Sequence, residues 1–86
     1  MVHHIPAIEG RKERIKAFIE YIEKHRRELR YRRLLAKYSL ESGIRVKTLE
    51  AYFNLLKDAD LYFCDAYSNW MIVNKDEYKN MKSQHK

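Results

Sequence analysis

From Arg11 to Tyr38 the chain contains no Gly, Pro, Asn, Asp or Ser, so none of the usual residues marks where a helix stops. The apolar phase does mark it. At ~100° per residue, Ile15, Phe18, Ile19 and Ile22 gather on one face. Tyr31, Leu34, Leu35 and Tyr38 gather on another, roughly 160° away on the same wheel. One straight helix would have to bury opposite sides in its two halves. Two helices, broken near His25 to Arg30, bury one side each.

The next boundary is explicit. Ser42-Gly43 ends the second helix, and Gly43 suits the left-handed conformation of a helix C-terminus. A third helix runs from about Val46 to Ala59, carrying Val46, Leu49, Tyr52, Phe53 and Leu56 inward at spacings of three and four. Then the period changes. Leu61-Tyr62-Phe63-Cys64 and Trp70-Met71-Ile72-Val73 are short aromatic and β-branched runs, joined by the turn-compatible Asp65-Ala66-Tyr67-Ser68-Asn69. This pattern predicts a β-hairpin, with Trp70 in the core at the start of its second strand. Asn74, with Glu77 three residues on, begins a capping box for a last helix over about 75–83 that turns Tyr78 and Met81 inward. Residues 1–9, with Pro6 and little periodicity, read as an irregular arm; residues 10–86 form one domain.

Composition narrows the classes. A chain of 86 residues, 45% of them apolar, builds one small core. Its apolar runs fall far short of the ~20 residues that a membrane span needs, and the start lacks the basic and apolar regions of a secretory signal. Cys64 is the only cysteine, which excludes an internal disulfide and fits a reducing cytoplasm. His3-His4, His25 and His85 lack partners at zinc spacing, so no metal is expected. Only Gly10 and Gly43 are glycines, too few for a phosphate-cradling loop. Cys64 sits in an apolar run without an obvious His partner, and carboxylate pairs occur only along helix faces. Neither an enzyme nor a cofactor is expected.

The stretch from Tyr38 to Tyr52, with its flanking helix and hairpin, resembles the winged helix-turn-helix family. Ser39 supplies the small residue four before the turn glycine, and Ile44 the apolar residue after it. Leu49 and Tyr52 stand six and nine residues after Gly43, on the buried side of the second helix of the motif, and Thr48-Leu49 matches the family's early Thr-apolar pair. The resemblance covers roughly residues 11–74, nearly the whole chain. It implies an α+β, mainly helical fold: a three-helix core, a β-hairpin wing over about 61–73 and a short C-terminal helix, with the helix-turn-helix over about 31–59. Two positions depart from the pattern. Arg45 stands where a capping Ser, Thr or Asp is usual, and Asp60 replaces the glycine favoured before the wing, although Asp tolerates the left-handed conformation.

Lys and Arg number 18 against 12 Asp and Glu, a formal charge of +6 that favours an anionic partner. The resemblance implies duplex DNA, read by the third helix in the major groove, as a small prokaryotic or archaeal-type transcriptional regulator does. Lys47, Thr48, Ala51 and Asn54 are then the base-contacting candidates: Asn54 suits an adenine edge and Ala51 a thymine methyl. Glu50 faces the same way and opposes phosphates. Lys24, Arg26, Arg27, Arg30, Arg32 and Arg33 fall within ten residues; Arg30, Arg32, Arg33, Lys37 and Arg45 are the phosphate-contacting candidates. The wing tip carries no cation. Ile5, Ile8, Tyr78 and Met81, apolar residues near both ends, point to a homodimer; no small-molecule effector domain and no membrane contact are expected. Two further readings stand beside this one. A protein-interaction winged helix would use Glu50, Asp58 and exposed Tyr21 and Tyr67, and a single-stranded nucleic-acid binder would use tyrosines with the basic stripe.

Overall fold

The structure, a computed structural model, describes residues 7–84. It is mainly helical with one antiparallel hairpin: α1 (Ala7–His25), α2 (Tyr31–Ser42), α3 (Val46–Asp58), β1 (Tyr62–Phe63), a 3-10 turn (Ala66–Ser68), β2 (Val73–Asn74) and α4 (Lys75–Gln84). Helix α1 already begins at Ala7, so residues 7–9 are helical rather than part of an irregular arm; after Pro6 only Gly10 disfavours a helix there. The rest of that arm, with His3, His4 and Ile5, lies outside the described residues, as do the side chain of Ile8 and His85.

The break between α1 and α2 falls at 26–30, where the apolar phase requires it, and long-range bonds hold it in place of a turn residue. Arg26 is only 5% exposed. Its guanidinium donates to Glu23 Oε2 at 2.9 Å, to the Ile72 carbonyl at 3.3 Å and to Glu77 Oε1 at 2.5 Å. Arg30 is extended and forms an antiparallel bridge with Met71, and the Tyr31 N–H donates to the Trp70 carbonyl at 2.9 Å. The start of α2 is thereby tied to the segment that leads into the second strand of the hairpin.

With the break in place, Phe18 and Ile22 of α1, Leu34 and Leu35 of α2, and Leu49, Tyr52, Phe53 and Leu56 of α3 meet in one core, closed by Tyr62 and Ile72 from the hairpin. Gly43 ends α2 in the left-handed conformation (φ 78°), its N–H donating to the Ser39 carbonyl at 2.9 Å. Asp60 takes φ 60° after α3, so the aspartate fills the position favoured for glycine. Val46 departs from expectation. It is 40% exposed because, as the first residue of α3, it has no preceding helical turn to pack against.

The hairpin exists, but each strand has two residues, pairing Tyr62 with Asn74 and Phe63 with Val73. The connection is longer than expected because it holds structure of its own. Asp65 caps the 3-10 turn, Oδ1 accepting from the Tyr67 N–H at 2.9 Å, while Ser68 Oγ accepts from the Asp65 N–H at 3.1 Å. Asn69 and Trp70 then both adopt positive φ, at 56° and 62°. Helix α4 starts with the anticipated box: the Glu77 N–H donates to Asn74 Oδ1 at 2.9 Å and the Asn74 N–H to Glu77 Oε1 at 3.0 Å. Tyr78 stacks on Phe63 with centroids 4.5 Å apart and hydrogen-bonds Asp65, fastening α4 to the hairpin. Among the described residues no helix is long and apolar enough to cross a membrane.

Candidate nucleic-acid interface

Because Leu49, Tyr52, Phe53 and Leu56 point into the core, the helical period sets Lys47, Ala51, Asn54 and Asp58 along the opposite side of α3, and all four are exposed. Glu50 is exposed on the side of this stripe nearest α2. Thr48 is half-buried, at the other edge. Arg45 stands just before the helix, exposed and extended, with φ −63° and ψ 145°.

Three phosphate candidates come together at the start of α2. Arg30, Arg32 and Arg33 line one open cavity of about 670 Å³ with Glu28, Leu29 and Met71. A neighbouring groove of about 240 Å³ runs between Tyr31, Arg32, Leu35 and Ala36 of α2 and Val46 and Glu50 of α3. Arg32 therefore lines both cavities, at the junction of the arginine cluster and the exposed face of α3. Lys37 lies one turn beyond Arg33 on the same face of α2, exposed, and Arg45 lines neither cavity.

Charge pairing separates the cations into two sets. Glu23 is taken up by Arg26 and by the Tyr62 hydroxyl at 2.6 Å, and Glu77 by Arg26, with Arg27 at 3.9 Å. Burial opposes ionisation of both Arg26 and Glu77, yet the pairing outweighs it: the carboxyl of Glu77 lies below its ordinary value and the guanidinium of Arg26 above its own. Arg26 thus leaves the basic cluster and serves the fold. Among the described residues, Arg30, Arg32, Arg33, Lys37, Arg45 and Lys47 have no carboxylate within 4.0 Å.

The helix ends reinforce this field. Both α2 and α3 have an arginine at the N-cap, no side-chain cap and no acid in the first turn. The Tyr31 N–H of α2 is taken by the Trp70 carbonyl; the N–H groups at the start of α3 and the positive dipole ends of both helices are left to complement an anion. Helix α4 is the contrast, with Asp76 and Glu77 in its first turn.

The hairpin tip brings no cation: Asp65 and Ser68 are engaged in the capping box. Trp70 too departs from its expected place. It is 55% exposed rather than in the core, because its positive φ at the end of the connection turns the indole off the strand. Asn69, a residue that readily turns left-handed, was the available sign that the connection continues past it. Tyr21, read as exposed, is half-buried and donates to Glu41 Oε2 at 2.9 Å. Cys64 is half-buried too; burial and then Asp65 push its thiol up to about 12. No group of three or more His, Cys, Asp or Glu that could hold a metal ion occurs among the described residues. Comparison with protein-family models, curated proteins and solved structures finds no match to this chain.

Proposed function

We propose that this chain is a winged helix-turn-helix protein that binds duplex DNA as a small transcriptional regulator, with α3 in the major groove. The observation that carries the reading is the cluster of Arg30, Arg32 and Arg33, free of carboxylate partners among the described residues, beside the exposed face of α3. Lys47, Thr48, Ala51 and Asn54 face base edges, while Arg30, Arg32, Arg33, Lys37 and Arg45 hold phosphates. The bridge from Arg30 to Met71 supports the same reading, since it holds the hairpin against the helix pair as one frame. A homodimer reading paired half-sites belongs to the proposal, although its basis has narrowed: Tyr78 is already stacked on Phe63. So do a cytoplasmic site of action and a role in binding rather than catalysis.

The test is anisotropy of a labelled random-sequence duplex titrated at several salt concentrations. Log affinity is expected to fall with log salt at a slope of about −3 to −6, as roughly four to seven phosphate contacts imply. Replacing Arg32 and Arg33 together by Ala should flatten that slope by about 2. Absence of duplex binding at low salt overturns the reading. A monomer in sedimentation at high micromolar concentration overturns the dimer alone. The second reading is a protein-interaction module; Leu40, 87% exposed on α2, is the observation that favours it.

A further inference from the structure

Trp70 occupies a conformation that bulky residues seldom adopt, with φ 62°, and more than half of its surface stays in water. Core packing therefore does not account for it. Its backbone is committed at both ends: the N–H donates to the Asp65 carbonyl at 3.0 Å, and the carbonyl accepts from the Tyr31 N–H at 2.9 Å. These bonds anchor the residue beside the start of α2. There, Trp70, Tyr31, Arg30 and Arg32 line a groove of about 390 Å³ with an almost wholly apolar surface. That volume lies within the range of small-ligand clefts, roughly 300–1,000 Å³. Tyr31 is fixed from behind by Phe53, edge-on at 4.9 Å.

We infer that this groove is a stacking site for an unpaired nucleobase of single-stranded DNA, with the strand's phosphate on Arg30 and Arg32. Aromatic rings accept any base face, and guanidiniums beside them supply both phosphate pairing and cation–π attraction. The charge pattern selects the occupant. Arg30 and Arg32 disfavour a cationic partner, and with no carboxylate within 4.0 Å among the described residues both guanidiniums are available to an anion at the groove's edge. Glu28 and Glu50 line the two adjoining cavities and disfavour a phosphate there. A base inside a duplex offers no free face, so the groove takes an unpaired base; no residue of α3 lines it, although Arg30 and Arg32 are shared with the proposed duplex interface.

Trp70 is the only tryptophan in the chain, so its emission reads the site directly. The full chain is titrated at low salt with a short oligothymidylate and, separately, with a blunt-ended duplex. Saturable, strong quenching of Trp70 by the oligothymidylate is expected, with much weaker quenching by the blunt duplex, whose phosphates reach Arg30 and Arg32 but whose bases stay stacked in the helix. Trp70→Leu should weaken oligothymidylate binding about tenfold, the lower part of the range for losing one stacked base, while binding the blunt duplex as the parent does. Arg32→Gln keeps the fluorophore and should weaken the quenching titration. Oligothymidylate binding that leaves Trp70 emission unchanged overturns the inference, as does a Trp70→Leu variant with full affinity for it. Quenching by a peptide or by self-association in place of the oligonucleotide also overturns it. If the duplex binds and Trp70 stays silent to single strands, only this inference fails. If Trp70 is quenched by single strands and no duplex binds, only the duplex reading fails.

Discussion

Gly43 has no atom within 4 Å of where a Cβ would stand, so space does not require glycine there; its φ of 78° does. Gly43→Ala should cost about 1–2 kcal/mol, the left-handed penalty for an L-residue, and Gly43→Asn less, measured by urea denaturation. Glu77 acts through charge. Its carboxyl sits below the ordinary value because the Asn74 N–H, Arg26 and Arg27 outweigh the burial that opposes ionisation. A carboxyl lowered on folding stabilises the protein above the ordinary glutamate range, near ~4.3, and loses that contribution as pH falls through the folded value. The melting-temperature gap between the parent and Glu77→Gln should therefore shrink from about pH 7 to about pH 3. Gly43, Asp60 and the Asn74–Glu77 box were legible because each answers a local geometric demand. Arg26 and Trp70 were not. Arg26 is buried by Glu77, a partner 51 residues away, and nothing in a local window distinguishes it from exposed Arg27. Trp70 is turned outward by two successive left-handed residues, the last of the expected turn and the first of the expected strand.

Among the elements, the apolar phase located the α1–α2 break without a turn residue, since burying one face per helix is a condition that local residues carry on their own. The strands were overestimated, because the capped 3-10 turn and the residues after it take up most of the connection. The arginine N-caps of α2 and α3 set two demands on one position. A capping hydroxyl at 45 would satisfy free N–H groups of α3, yet it would remove a phosphate candidate. Arg45→Ser should stabilise the fold by up to about 1 kcal/mol while lowering duplex affinity and reducing the salt slope by about 1. Melting and anisotropy on the same preparation check both halves. Equal or tighter duplex binding would remove Arg45 from the interface.

Across the whole molecule, helix α2 and the hairpin are far apart in sequence yet share the hydrogen bond from the Tyr31 N–H to the Trp70 carbonyl. Opening of the hairpin away from α2 must break that bond, and whatever holds both sides must slow the opening. Hydrogen exchange at the Tyr31 amide should therefore slow when the oligothymidylate, held by Trp70 on one side and by Arg30 and Arg32 on the other, is added, with little change at core amides such as Leu35. One amide thus serves as a latch whose exchange rate reports, from inside α2, how tightly the hairpin is being gripped.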